Sequence, residues 1–206
     1  MKIKALKIML ALSCVLVFSQ SKAQEAGDSY FSINYSMALA TGETSDFIGN
    51  YNWRGFILDY TYLSTSNFAI GFQTGLNTLH EESDGQVDAV IESENSRTTI
   101  TGNQYRTLNA APFLATFRYV YDNAYVIPYA GAGVGGYYTR RDLEMGLYLV
   151  EDEYFQFGIA PHIGVVFPTG GSTSINTSIQ YNHAFAGKNA PTESYLSFNI
   201  GFLWGN

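Results

Sequence analysis

The sequence predicts an all-β protein, an eight-stranded antiparallel up-and-down transmembrane β-barrel that follows an N-terminal signal peptide. Three observations carry that expectation. Apolar residues alternate with small or polar ones through eight segments of the chain, each roughly 10–14 residues long, whereas a membrane strand needs about 9–11 and an average globular strand has only about 5–6. The second face of these segments is Gly, Ser, Asn and Gln, a poor dry core but a suitable filling for a narrow barrel. Connections alternate between short and long along the chain, as they do in bacterial barrels.

The N-terminus comes first. Lys2, Lys4 and Lys7 precede an apolar run from Ile8 to Phe18, and Ser21-Lys22-Ala23 places small residues where a signal peptidase reads them. The run rises about 16 Å, roughly half of a 30 Å hydrocarbon core, so a membrane anchor helix is the weaker reading. Cys14 is followed by more apolar residues, which argues against a lipoprotein site. Residues 1–23 are therefore expected to be a signal peptide and 24–206 a single barrel domain. Cleavage would remove the sole cysteine and four lysines, leaving a chain without disulfides and more acidic than the −7 of the full sequence. That charge argues against nucleic acid as a partner.

The strands follow in order. Phe31, Ile33, Tyr35, Met37 and Leu39 form the apolar face of the first; Phe56, Leu58, Tyr60 and Tyr62 that of the second; Phe68, Ile70, Phe72 and Leu76 that of the third. The fourth runs from about Arg106 to Tyr121 and the fifth from Tyr125 to Arg140, where glycines hold alternate positions. The sixth carries Phe155 to Phe167, the seventh Ile175 to Phe185, the eighth Leu196 to Trp204. Ser64–Asn67, Asp122–Ala124 and Thr169–Thr173 are the short links. Thr41–Asn52, His80 to about Gln104, Arg141–Asp152 and Ala186–Glu193 are the long ones. This asymmetry places both mature termini in the periplasm and the long links outside. Within the second long link, Gln86–Ile91 and Arg97–Thr101 are candidates to extend the third and fourth strands above the membrane as a β-ribbon.

The stretch Pro112-Phe113-Leu114-Ala115-Thr116-Phe117-Arg118-Tyr119, a tight turn, and Pro128-Tyr129-Ala130-Gly131-Ala132-Gly133-Val134-Gly135 lead into Phe157-Gly158-Ile159-Ala160-Pro161-His162. This resembles the small outer-membrane β-barrel domain shared by the OmpA-like, OmpX-like and OmpW-like porin families, over essentially the whole mature chain. The resemblance implies a Gram-negative-type outer membrane, contact with its lipid and lipopolysaccharide, and delivery by the outer-membrane insertion machinery. One departure is the C-terminus: the family commonly ends on an aromatic residue, whereas Gly205 and Asn206 follow Trp204 here. Phe202 and Trp204 are the expected insertion signal.

Chemistry is sparse. A lipid A deacylase barrel presents His-x-Ser on a lipid-facing strand; here the stretch is His183-Ala184-Phe185, with no hydroxyl. Gly131 to Gly136 lacks the Lys-Ser/Thr of a phosphate loop. No catalytic, cofactor or metal residue is expected, and no cofactor. Asp59 and Arg118 project to the expected lumen, and Gln73, Gln156 and His162 are expected to complete a polar network with them, because an unpaired charge there is costly. Either a structural plug or a selective pore fits these five residues, and eight strands leave an interior mostly filled by side chains. The acidic stretch His80–Arg97 reads as a solvated surface loop, with weak divalent-cation binding or an extracellular ligand as functional alternatives. Three functions stay open: a non-enzymatic structural or surface-recognition barrel, a narrow channel or lateral pathway for small hydrophobic molecules, and a lipid-modifying enzyme.

Overall fold

The computed structural model describes residues 26–83, 87–93, 96–121, 126–146, 148–169, 171–188 and 190–205, with backbone alone over 87–93 and 96–101. The expected signal peptide, the link Asp122–Ala124 and part of the acidic stretch (84–86 and 94–95) lie outside the described residues. In chain order the elements are β1 (Ser29–Ala40), α1 (Glu43–Phe47), β2 (Tyr51–Asn52), β3 (Arg54–Leu63), β4 (Phe68–Glu82), β5 (Val87–Ser93), β6 (Ser96–Gly102), β7 (Gln104–Val120), β8 (Ile127–Met145), β9 (Tyr148–Pro168), β10 (Thr173–Ala184) and β11 (Glu193–Gly205).

Eight of these strands make the wall, in the order β1-β3-β4-β7-β8-β9-β10-β11, and β11 returns to pair with β1. That closing seam runs antiparallel from Tyr30↔Gly205 to Ala40↔Tyr195. Closure follows from the solvent: in lipid, an open edge would leave backbone groups without partners. The two-residue β2 is an extra piece paired to β1 at Ala38 and Leu39. Both described termini and the short connections lie at one end, called here the turn end; the long connections form the loop end.

The exterior is apolar and exposed. Phe72, Phe117, Phe157, Ile163, Ile200 and Phe202 all face outward. Tyr60, Tyr62, Tyr119, Tyr121 and Trp204 crowd this surface near the turn end, and Tyr51, Trp53, Tyr138, Phe155 and Phe185 near the loop end, the positions of interfacial aromatic girdles. Inward positions alternate with these. Gly131 and Gly164 are needed there for space: a Cβ on Gly131 would lie 2.2 Å from the Phe117 carbonyl oxygen and 2.9 Å from Arg118 Cγ, and one on Gly164 would lie 2.4 Å from the Tyr129 ring.

Two prolines interrupt the wall. The β4–β7 ladder breaks after Thr74↔Phe113 and resumes at Asn77↔Ala110, with Pro112 in the gap. The β9–β10 ladder breaks after Gln180↔His162 and resumes at His183↔Ile159, with Pro161 in the gap. Proline has no N–H to offer a neighbour.

Two long links differ from the sequence expectation. Arg141–Asp152 is largely strand: β8 continues to Met145 and β9 starts at Tyr148, paired up to Met145↔Tyr148. Above the lipid both faces of a hairpin meet water, so the apolar period that marks a strand vanishes while the ladder continues. Thr41–Asn52 is not a plain surface loop either. It holds α1 and turns Ile48, fully buried, into the barrel mouth. Within the acidic link, β5 and β6 pair from Val87↔Gly102 to Ser93↔Ser96; the expected ribbon is present, but as a two-stranded sheet separate from the β4–β7 ladder, which ends at Glu82↔Tyr105.

Candidate functional site in the barrel lumen

The lumen holds three layers. At the turn end Leu63, Ala69, Val120, Ile127 and Val166 form an apolar cluster flanked by Tyr30, Tyr129 and Leu203. At the loop end Ala38, Ala40, Ile48, Leu79, Leu108, Ala110 and Tyr195 form another, with Phe47 packed on it. Polar side chains and a small apolar cluster of Leu114, Tyr137, Ala160 and Ala184 fill the space between, and a cavity of about 40 Å³, lined by polar residues and by the turn-end cluster, has room for roughly three waters.

Arg118 on β7 sits at the centre of that space. Its Nη1 donates to Asp59 Oδ1 at 2.7 Å and also to Thr61 Oγ1, and its Nη2 meets Asp59 Oδ2. Its Nε donates to His162 Nε2 at 2.9 Å. His162 Nε2 therefore acts as an acceptor, which puts the ring proton on Nδ1, 3.1 Å from the Ala160 carbonyl oxygen. The guanidinium also lies 5.5 Å from the centre of the Tyr129 ring. Four of the five N–H groups of the arginine are thus bonded and its charge is paired with Asp59, as a charge held away from bulk water requires.

Of the five residues singled out in the sequence, three thus touch directly: Asp59, Arg118 and His162. Gln73 stands opposite Asp59 in register and also lines the cavity, but its Nε2 donates across the lumen to Gln180 Oε1 at 3.0 Å. Gln156 lies apart. It reaches toward the loop end, where its Nε2 donates to the carbonyl oxygens of Phe185 and Pro191. Sequence reasoning missed two further chains. Gln180 donates to Asn182, which accepts from Tyr137 and donates to Ser197. Tyr129 and Asn176 continue through Asn34 to Ser32. All are inward positions of strands whose alternation was already visible, so the face was legible and the pairing was not.

The loop-end closure was missed altogether. Thr44 Oγ1 donates to Glu193 Oε2 at 2.8 Å and accepts from the Ser194 N–H at 2.7 Å. Arg141 Nε donates to Glu193 Oε1 at 2.5 Å. Phe47 lies beneath the Arg141 guanidinium at 4.7 Å and the Arg106 guanidinium at 5.9 Å. Glu81 accepts from the backbone N–H groups of Gly49 and Asn50.

His183 faces outward between Tyr181 and Phe185. Ser194 stands opposite it in register, but the Ser194 hydroxyl donates to the Thr41 carbonyl oxygen at 2.8 Å. Among the described residues no group of three His, Cys, Asp or Glu is placed to hold a metal ion.

A closed sheet with an exposed apolar exterior, aromatic girdles and a polar, side-chain-filled lumen defines a small β-barrel of the outer-membrane type, and the chain is an outer-membrane protein of that class. Solved structures agree on the fold. The chain is similar to Ail, the attachment invasion locus protein of Yersinia pestis, at 14% identity and a TM-score of 0.54, covering 89% of this chain and 100% of that one. A second Ail structure, with a TM-score of 0.51, is in complex with the heparin analogue sucrose octasulfate. Neisserial surface protein A matches at 12% identity and a TM-score of 0.52, covering 86% and 98% of the two chains. No protein-family model and no curated relative matches the sequence.

Proposed function

We propose that the protein is a non-enzymatic, plugged barrel whose work is to hold its long connections at the cell surface for structural or recognition purposes. The observation that carries this reading is the layered lumen: apolar clusters at both ends, and between them an arginine held by Asp59, Thr61 and His162. Removal of residues 1–23 after export, a periplasmic turn end, insertion by the outer-membrane machinery through Phe202 and Trp204, and contact of the aromatic girdles with lipopolysaccharide belong to the same reading. A sulfated ligand like that of Ail does not carry over to this chain, because its loop end is rich in acidic residues, among them Glu43, Glu81, Glu82, Glu144, Glu151 and Glu153. Purified protein in planar bilayers is expected to give no reproducible single-channel steps; such steps would overturn the plugged reading.

One observation favours a second reading, a lateral pathway for small hydrophobic molecules. At the Pro112 gap the β4–β7 ladder lacks pairing over Gly75 and Leu76. If that gap is a route, Pro112→Ala restores an N–H and slows entry of a small hydrophobic dye into barrel-containing liposomes. Equal rates with and without the protein would exclude the route.

A further inference from the structure

The register of the wall fixes how high each outward side chain stands. A row of paired residues leaves β1 at Phe31, crosses β4 at Phe72 and β9 at Ile159, and meets β1 again beside Thr41. One circuit therefore moves the row ten residues towards the loop end. Barrel strands tilt by about 35–45° and lie about 4.8 Å apart, so a row climbs about 3 Å at each strand it crosses, and one residue along a strand rises about 2.5 Å.

On that scale the turn end is level. Ile159 stands three strands on from Phe72, so about 9 Å above it. Phe68 lies four residues below Phe72 and Phe167 eight below Ile159, which puts both about 10–11 Å beneath Phe72. The loop end is not level. The first polar residues facing outward there are Arg54, Thr78, Asn109, Arg140 and Glu153, and they occupy one continuous row: Arg54↔Thr78, Thr78↔Asn109, Asn109↔Arg140 and Arg140↔Glu153. Following a row means climbing with it, by about 12 Å from β3 to β9.

The apolar belt is consequently a wedge. It spans Phe68 to Leu76 on β4, about 20 Å, and Phe155 to Phe167 on β9, about 30 Å, against about 25 Å for a typical barrel. Phe31 to Leu39 on β1 and Leu196 to Trp204 on β11 repeat the short span. Side-chain chemistry marks both limits. Phe155, 74% exposed, sits directly beneath the Glu153 carboxylate, which Arg140 attends at 4.0 Å. On the short side Thr78 Oγ1 donates to Asn109 Oδ1 at 2.8 Å, and His80 Nδ1 meets Thr107 Oγ1 at 2.9 Å one row above. A rigid tilt cannot level this belt, because it would lift one side of the level turn-end girdle out of place. A bilayer meets a short apolar span by thinning and a long one by thickening.

We infer that the loop-end leaflet is the partner of a wedge-shaped lipid surface: it is thinned along β11, β1, β3 and β4 and held thick along β9, with the barrel axis upright. This does not rest on the surface-recognition reading, since a plugged and a conducting barrel carry the same exterior.

The test uses the full chain with Cys14→Ser in phosphatidylcholine nanodiscs, with one nitroxide-labelled cysteine at a time. Thr78, six residues above Phe72, and Phe157, two above Ile159, both stand about 14–15 Å above Phe72. Labels at Thr78→Cys and Phe157→Cys therefore have equal height but different expected surroundings. The first is expected at the headgroups, open to a water-soluble relaxation agent, and the second about 10 Å deeper in hydrocarbon, open to oxygen. Labels at Phe68→Cys and Phe167→Cys are expected to match in depth within about 3 Å. The pair Thr78→Leu and Asn109→Leu adds an apolar row to the short side and is expected to sink a label at Leu76→Cys by about 5 Å, with unchanged gel mobility before boiling showing that the barrel is folded. Equal depth at Thr78 and Phe157 would show an even leaflet and overturn the inference. Unequal depth at Phe68 and Phe167 would show a tilted barrel and overturn it too, as would a Leu76 label that does not move.

Discussion

The two ends of the lumen are closed by different means. At the turn end every member of the plug, from Leu63 and Val120 to Ile127, Val166 and Leu203, belongs to a wall strand or its last residue. At the loop end the seal borrows Phe47 and Ile48 from a connection between strands. Ordering that connection costs conformational entropy, which is offset by contacts to four strands: Glu81 on β4, Arg106 on β7, Arg141 on β8, and Glu193 with Ser194 on β11. One closure is apolar and local. The other is held by charge and reaches across the barrel.

That contrast can be broken or sharpened by mutation. The largest effect belongs to the pair between the two seals. Arg118→Met leaves Asp59 buried without its partner and is expected to cost about 3–5 kcal/mol, whereas Asp59→Leu combined with Arg118→Met recovers most of the loss. Urea titration followed by the mobility of unboiled protein on gels measures both. Leu63→Ala removes buried apolar volume at the turn end and is expected to cost about 2–5 kcal/mol, with no dependence on salt; a strong salt dependence would show that the turn end is not a purely apolar seal. At the loop end Thr44→Val deletes the donor to Glu193 and the acceptor for Ser194, with an expected cost of about 1–3 kcal/mol. Its signature is local: faster exchange of the Ile48 amide, which bonds the Thr44 carbonyl oxygen, and unchanged exchange at Val120. Phe47→Ala is expected to have the smallest effect, about 0.5–2 kcal/mol from the two guanidinium contacts beyond its lost packing.

The same contrast explains what the sequence made legible. The wall was readable because alternation with period two survives wherever one face meets lipid: Phe31 to Leu39, Phe68 to Leu76 and Leu196 to Trp204 all face outward as their pattern implies. The inward charges Asp59 and Arg118 could be placed by parity alone. The pairing of Arg118 with both Asp59 and His162 needed three strands in register, and Gln156 went elsewhere because loop-end carbonyls were nearer to it. The mouth was unreadable for a different reason. Thr44 and Glu193 are 149 residues apart, and a five-residue helix carries too little period to show which side of it turns inward. The protruding hairpin hid because its two faces are both wet.

The central claim is a polar lumen sealed at both ends, and a single buried thiol tests it most directly. Ser32 lines the cavity and is 2% exposed. In a chain carrying Cys14→Ser, Ser32→Cys places one sulfur among Asp59, Arg118 and Asn34, and a membrane-impermeant thiol reagent can be offered to both sides of the barrel in nanodiscs. No labelling of the folded barrel, with full labelling after boiling, is the predicted result. Labelling of the folded barrel as fast as that of an exposed Lys188→Cys control would contradict it.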